Sequence, residues 1–458
     1  MNKLLFIYDD SKLPSETLSK VIGNVKFSQI IHRRLSLIDR LKAAIMDKCE
    51  IVTPEVIKTR EYSDYSFVLM PSSSVITNVE EFRLLLDKLV YSKNSICIYE
   101  NEKILLSFYK DKDDFEKQHS PIMLDNYCLT DISNYLNLIR YLSESPDSRF
   151  FNTVISNDYL FRKISTNKAK IRNEYNFAKL IPDSMKRWII IPYNFKEDDK
   201  TASYEMERID IPDMAIRWIH NAISLDEFKN FLDKFFYFIA SRTNRAISIG
   251  DYREKMNELY LNKVLDRILM LKNTLQYKKI SEYVVTGTEY NSIDDIIEWY
   301  SMLYKKIIDK YKFHPVSVIG HGDPFFANMF YDHGTKTLKF IDPKGAEKEE
   351  ELWTDPYYDV AKLSHSILGN YDFITNGLFS IQISNDLCFS LSIDNFLPKS
   401  YSEIFLKKAE RAGFNPCLIR LFEASLFLSM LPLHIDNPKN VLAFILNSVQ
   451  ILKEVQNA

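Results

Sequence analysis

Residues 316–373 read VSVIGHGDPFFANMFYDHGTKTLKFIDPKGAEKEEELWTDPYYDVAKLSHSILGNYDF, and the fold turns on how this stretch is understood. The apolar run 316–319 predicts a short strand. His321, Gly322 and Asp323 then make a sharp turn. Residues 329–331 and 338–341 are the two arms of a β-hairpin, reversed at Asp332, His333 and Gly334. Such a path gathers polar side chains: Asp323 and Asn328 lie five positions apart after the turn, and Asp342 stands where the hairpin ends.

These residue types suit phosphoryl transfer. A hydroxyl attacking a phosphate needs a carboxylate to orient it and accept its proton, and polyphosphate charge is neutralised by Mg2+ held on hard oxygen ligands. His321-x-Asp323 followed by Asn328 matches the H-x-D-x-x-x-x-N catalytic loop of kinases. Asp323 is therefore the candidate base, Asn328 and Asp342 are the candidate metal ligands, and ATP is the expected donor. Singly, each residue would be read as a turn cap; the ordered set points to a site.

Taken with Ile341-Asp342, Asp355-Pro356 and Asp359-Val-Ala-Lys-Leu, the stretch resembles the aminoglycoside phosphotransferase and choline kinase family. Its Ile-Asp-Pro-Lys-Gly and Ala-Lys-Leu-Ser-His-Ser segments are similar to kinase-like proteins of bacterial capsule and surface polysaccharide synthesis. The resemblance spans residues 150–458. It implies a two-lobed α+β protein kinase-like domain with a largely helical C-lobe, in which Asp359 braces the catalytic loop and His321, Asp355 and His365 lie near it. For Asp355 and His365 a helix cap and a core histidine are equal alternatives.

On that reading residues 146–210 form the small lobe and 211–458 the large lobe. Residues 150–155 and 159–164 predict paired strands. Side chains alternate along the second, so Phe161 and Lys163 share one face and Arg162 takes the other. Lys163 is the candidate for binding phosphates, and Arg162 is its rival. A helix over 168–180 carries Glu174, the expected partner of Lys163. The strand at 202–209 leads to a hinge, where backbone groups from Glu207 to Ile209 are expected to meet the adenine. Residues 225–311 read as helical, with Phe228, Phe231, Leu232, Phe235 and Phe236 at core spacing. C-terminal helices over 421–431 and 441–452 are expected to wall the acceptor pocket. Trp353, Tyr357 and Tyr358 with Asp355 have the composition of a quaternary ammonium cage.

Residues 1–145 alternate strand-like runs (4–8, 67–70, 95–99, 104–108) with helical stretches (30–46, 79–90, 132–142). This α/β pattern predicts a mainly parallel sheet. Residues 64–77 are faintly similar to nucleotidyltransferase-like domains of sugar activation. Asp9-Asp10 and residues 72–74 stand where those enzymes carry a glycine-rich loop and a metal-binding aspartate, so a degenerate, non-catalytic domain is expected. The polar run 143–148 marks the domain boundary.

Composition narrows the partners. The chain has 458 residues, 46% hydrophobic and 26% charged, with a net charge of −3. That leaves no basic field to attract nucleic acid or anionic lipid. Five scattered cysteines without a C-x-x-C pair predict reduced thiols rather than disulfides or zinc. The apolar runs at 4–8 and 424–435 fall short of a signal-peptide core and a membrane span, so a soluble, cytoplasmic protein is expected. Only Gly23 precedes Gly250, which excludes a GxGxxG or Walker A loop from the first half. The sequence thus supports an ATP-dependent kinase of a small hydroxylated molecule, a sugar or related precursor. The alternatives are a non-catalytic kinase-like binding or scaffold protein and a choline or ethanolamine-type kinase.

Overall fold

A strand that is apolar at every position belongs in the middle of a sheet, and Leu4 to Tyr8 are buried throughout β1 (Lys3–Asp9). The computed structural model of the protein describes residues 3–46, 48–57, 62, 64–117, 121–143, 152–157 and 159–458. It divides into two units, Met1–Pro146 with His220–Ala222, and Asp147–Ile219 with Ile223–Ala458.

In the first unit β1 lies between β2 (Glu50–Val52) and β3 (Tyr65–Pro71), both parallel to it. Beyond β3 the sheet changes direction. β4 (Ile96–Glu100) and β5 (Lys103–Tyr109) form a hairpin, β5 runs antiparallel to β3, and β6 (Ile122–Asp125) completes the order β2-β1-β3-β5-β4-β6. The sheet is therefore mixed, with three parallel and two antiparallel pairings, where the sequence pattern suggests a mainly parallel one. The cause is the tight turn at Asn101 and Glu102, with φ of 47° and 66°, which returns the chain without the crossover a parallel partner requires.

The helix expected over 30–46 is also shorter. Ile31–His32 and Leu35–Ser36 pair as a small hairpin through Arg33 and Arg34, and α1 (Leu37–Ile45) starts only where the Ser36 hydroxyl accepts the Asp39 N–H at 3.2 Å. Together with α2 (Val79–Leu89), it covers one sheet face around Phe6, Val68 and Phe108. At the end of β1, Asp10 accepts the Ser28 hydroxyl at 2.6 Å and Asp9 the Ser11 N–H at 3.0 Å. Residues 144–148 of the expected boundary, and 150–151 of the next strand, lie outside the described residues.

The second unit opens with an antiparallel sheet. β7 (Asn152–Ser156) and β8 (Leu160–Ser165) are followed by α3 (Lys168–Leu180), β9 (Tyr193–Glu197) and β10 (Ala202–Glu207), in the order β7-β8-β10-β9. α3 docks through Ile171 onto Tyr204 and Met206.

The chain then becomes mainly helical. In α4 (Leu225–Ser241) Phe228, Phe231, Leu232 and Phe235 are buried, at the spacing of one helix face. β11 (Asn244–Ala246) interrupts the helices before α5 (Ile249–Met256) and α6 (Ile293–Lys310), because it pairs with β12 (Val316–Ile319). The hairpin β13 (Met329–Asp332) and β14 (Thr337–Phe340) keeps Met329 opposite Phe340. β15 (Trp353–Thr354) returns to β12 and leads into α7 (Tyr357–Ile367). A further hairpin, β16 (Phe379–Ile383) with β17 (Phe389–Ile393), precedes α8 (Pro416–Met430) and α9 (Pro438–Asn457).

Among the described residues, one stretch of 19 residues, Pro416–His434, has the length and apolarity to cross a membrane, and 72% of it is buried within the fold. The run at 424–435, too short for a span, is the tail of this longer helical stretch.

Candidate active site

Alternation along β8 separates its two cations. Lys163 lies opposite Tyr204 of β10 and sends its Nζ to 2.9 Å from Glu174 Oε2 and 2.7 Å from Asp342 Oδ2. Arg162 faces the other way and pairs across the sheet with Glu205 Oε1 at 2.9 Å. Lys163 and not Arg162 is thus the residue brought to Glu174 and Asp342. The Tyr204 hydroxyl donates to Glu174 Oε2 at 3.0 Å, and Lys170 Nζ lies 3.4 Å from Oε1.

The three charges differ in access. Side-chain exposure is 6% for Lys163, 1% for Glu174 and 30% for Asp342, so Asp342 is the member a ligand can reach. Burial opposes the Lys163 ammonium, yet Asp342 and Glu174 raise its pKa and keep it charged. Burial would lift Asp342 too, but Lys163 holds its carboxyl below the usual range. For Glu174 burial wins and the carboxyl is lifted, with Lys163 opposing.

The turn after β12 is clamped by its backbone. Asp359 of α7, fully buried, accepts the N–H groups of His321 at 3.1 Å and Gly322 at 2.8 Å. Arg242 holds the same carboxylate at 2.9 Å and donates to the Pro356 carbonyl at 3.0 Å. Burial pushes the His321 imidazole down, with Asp359, Asp323 and Asp342 opposing, and its Nδ1 accepts the Asp323 N–H at 3.3 Å. Asn328 Nδ2 donates to the Asp323 carbonyl at 3.0 Å.

The hairpin exit is laced to that turn. Ile341 N–H donates to the Asn328 carbonyl at 3.1 Å and Lys344 N–H to the His321 carbonyl at 3.0 Å. Two glycines permit this. A Cβ on Gly322 (φ 85°) would sit 2.6 Å from Lys344 Cβ, and one on Gly345 (φ 62°) would sit 2.1 Å from the Asn173 carbonyl oxygen of α3. Asp342 itself has φ 55°, a left-handed conformation that stores about 1–3 kcal/mol in a non-glycine residue and clusters at ligand-binding positions.

Not every expected residue joins this cluster. Glu207 ends β10 three positions from Tyr204, paired with Leu160, and Ile209 lies two residues beyond it; it is their backbone groups, not their side chains, that are expected to meet the adenine. Asp355 turns inward, taking the hydroxyls of Tyr252 at 2.9 Å and Tyr260 at 3.1 Å and capping the Tyr357 N–H at 2.9 Å, and burial pushes its carboxyl up to about 6. His365 is a core histidine stacked between Tyr371 and Phe427. The ammonium cage is corrected by the same geometry. Its rings are already engaged within the protein: Arg245 lies over Trp353 at 4.1 Å, Lys263 donates to the Tyr358 hydroxyl at 2.8 Å, and Tyr357 packs on Phe414.

Sequence reasoning passed over three residues. Lys362 Nζ lies 2.8 Å from Asp323 Oδ1, an ion pair outside directed hydrogen-bond geometry. Its signal was available: Lys362 follows Asp359 by three positions, hence on the same helix face. Arg242 and Tyr204 carried no such local signal.

The donor set fits a hard divalent cation. Asp342 is accessible and held ionised, and Asn328, whose amide nitrogen is already used, keeps its Oδ1 as a neutral oxygen ligand. Among the described residues no group of three or more His, Cys, Asp or Glu could hold a metal unaided, so phosphate oxygens would complete the sphere.

No family model and no curated protein matches the chain. Among solved structures it is similar to the GDP complex of aminoglycoside 2'-phosphotransferase-IIIa, with 13% identity over 67% of this chain and 90% of that one and a TM-score of 0.38. It is also similar to a thermostable mutant of aminoglycoside phosphotransferase APH(4)-Ia in complex with AMP-PNP and hygromycin B (10% identity, 69% and 98% covered, TM-score 0.41). A third is aminoglycoside-3'-phosphotransferase of type VIII (11%, 69% and 99%, 0.35). At these values the chemistry of this chain has to be read from its own geometry.

Proposed function

We propose that the chain is an ATP-dependent phosphotransferase acting on a hydroxyl of a small molecule. Convergence is the observation that carries this reading: Lys163 bridges Glu174 and Asp342 at 2.9 and 2.7 Å, and the hairpin exit bearing Asp342 is hydrogen-bonded to the turn bearing Asp323. Residues 146–458 hold all these groups, and residues 1–145 serve as a degenerate, non-catalytic unit.

Each side chain has a distinct task. Lys163, kept charged, binds phosphate oxygens, and Glu174 keeps it aimed. Asn328 and Asp342 would hold Mg2+, which when bound neutralises charge on the transferred phosphate. Asp323 orients the acceptor hydroxyl and takes its proton at Oδ2, since Oδ1 faces Lys362. As the acceptor oxygen bonds to phosphorus, the bond to the nucleotide's bridging oxygen breaks. A sugar or related precursor of surface polysaccharide, phosphorylated in the cytoplasm, is the acceptor the sequence resemblance supports.

A second reading, a kinase-like module that binds without turning over, is favoured by one feature: the link between β7 and β8 spans only residues 157–159 and has no glycine to fold over phosphates. One assay separates the two. Full-length protein with ATP, Mg2+ and a panel of sugars and amino alcohols is expected to release ADP, and Asp323→Asn to lower turnover by about 10² or more while nucleotide affinity holds. Near-normal turnover in the variant would remove Asp323 from the chemistry; bound nucleotide without ADP release would favour the module.

A further inference from the structure

A cavity of about 200 Å3 opens beside the turn that carries Asp323, walled by residues 320–322 together with Lys255, Lys344, Trp353 and Tyr358. Ammonium groups gather around it. α7 presents Tyr358 to the cavity and, four residues later on the same face, Lys362 to Asp323. Lys263 Nζ donates to the Tyr358 hydroxyl at 2.8 Å. Lys255 Nζ donates to the Trp353 carbonyl at 2.6 Å, a neutral acceptor. Lys344 packs its stem on Gly322, and its ammonium forms no hydrogen bond or ion pair among the described residues.

Lys362 is paired with Asp323, but Lys255 and Lys344 have no carboxylate within ion-pair distance among the described residues. Burial, with Arg245 and Lys344 nearby, pushes the Lys255 ammonium down, Glu258 opposing. Burial alone would raise the Tyr358 phenol; Lys263, Lys362 and Lys344 instead bring it down to about 8. Two carboxylates, Glu258 and Glu351, line the same cavity, and Glu351 accepts the Glu347 N–H at 3.2 Å. Neither comes within ion-pair distance of Lys255 or Lys344 among the described residues. Like charges assembled around a concavity destabilise the empty protein and are relieved by an oxyanion, which each ammonium binds through a charge-assisted hydrogen bond.

We propose that this cavity receives an oxyanion carried by the acceptor, a phosphate or a carboxylate, so that the hydroxyl presented to Asp323 belongs to an acidic small molecule such as a sugar phosphate or a sugar acid. The inference rests on the phosphotransfer reading and gives it a substrate class. It separates this site from one built for a cationic acceptor, because the cations nearest Asp323 belong to the protein.

The test uses the full chain and two independent readouts. Calorimetry with a hexose 6-phosphate, a hexuronic acid and the neutral hexose, at two salt concentrations, is expected to show salt-sensitive binding of the acidic ligands only. The double variant Lys255→Gln with Lys344→Gln, its fold checked by circular dichroism, is expected to weaken that binding roughly tenfold or more. In the ADP assay it should raise KM for the acidic acceptor by a similar factor and leave KM for ATP unchanged. The preferred acid distinguishes phosphate from carboxylate. Equal use of the neutral hexose, or acidic binding indifferent to the double variant, would overturn the proposal while leaving phosphotransfer standing. Acidic binding without any binding of ATP would sink phosphotransfer, and with it the acceptor assignment, but not the anion preference of the cavity.

Discussion

Arg242 and Arg162 show why exposure decides what an ion pair contributes. Arg242 and Asp359 are 2% and 0% exposed and meet at 2.9 Å, with the turn's N–H groups on the same carboxylate. Removing the arginine strands a buried charge. Arg242→Met is therefore expected to lower stability by about 3–5 kcal/mol in urea unfolding and to loosen the turn bearing Asp323. Arg162 is 41% exposed, and its partner Glu205, though only 8% exposed, also accepts from Asn194 at 2.8 Å, so Arg162→Met leaves that carboxylate partnered and should move the midpoint less than Arg242→Met does. Equal losses in the two variants would mean that burial is not the controlling variable.

At the scale of elements, local chemistry explains both what was readable and what was not. The helix over Lys168–Leu180 begins at a capping Asn167, whose side chain accepts the Lys170 N–H at 3.1 Å, and the strand Val316–Ile319 is set off by the glycine that follows it. By contrast, the chain reverses at Arg33 and Arg34 with φ of 50° and 68°, values that sequence rules reserve for glycine or asparagine, so residues 30–46 looked like one helix. Asp323, Asn328 and Asp342 were legible because a turn and a hairpin bring near neighbours together. Arg242 was not, for its carboxylate partner is 117 residues away, and Tyr204 meets Glu174 only once β8 and β10 are in register. The hairpin Phe379–Ile393 escaped because each arm is only five residues long and Phe379 alone among them is buried, leaving little apolar contrast to read. Since Ser36 marks the true start of α1, Ser36→Ala is expected to cost about 1 kcal/mol, read as a lower Tm; an unchanged Tm would show that tertiary packing alone sets that helix end.

For the whole molecule the buried acids govern how stability varies with pH. Burial pushes Asp372 and Asp213 up to about 7, with Asp372 adding to Asp213, and Asp355 up to about 6. In the unfolded chain these groups titrate near ~4. Between those values the folded state holds protons the unfolded state has released, so stability falls as pH rises through the window. His321 and His365, buried and depressed, act in the opposite sense, an effect that fades as pH rises past about 6.5. Tm is therefore expected to fall between about pH 6.5 and 7.5, above which the Tyr358 phenol, held down to about 8, works against the acids. A Tm that climbs over this interval would contradict the burial of Asp213 and Asp372.

Gly345 has a consequence for motion. With no room for even a methyl group between it and the Asn173 carbonyl, the loop leaving Asp342 and the middle of α3 cannot separate by small adjustments of side chains. They should open as one cooperative segment, and backbone hydrogen exchange would record it. Amides at 173–178 and at 342 and 344–346 are expected to share one opening free energy and to slow together when nucleotide binds; two distinct opening energies would mean that the contact gives way piecemeal.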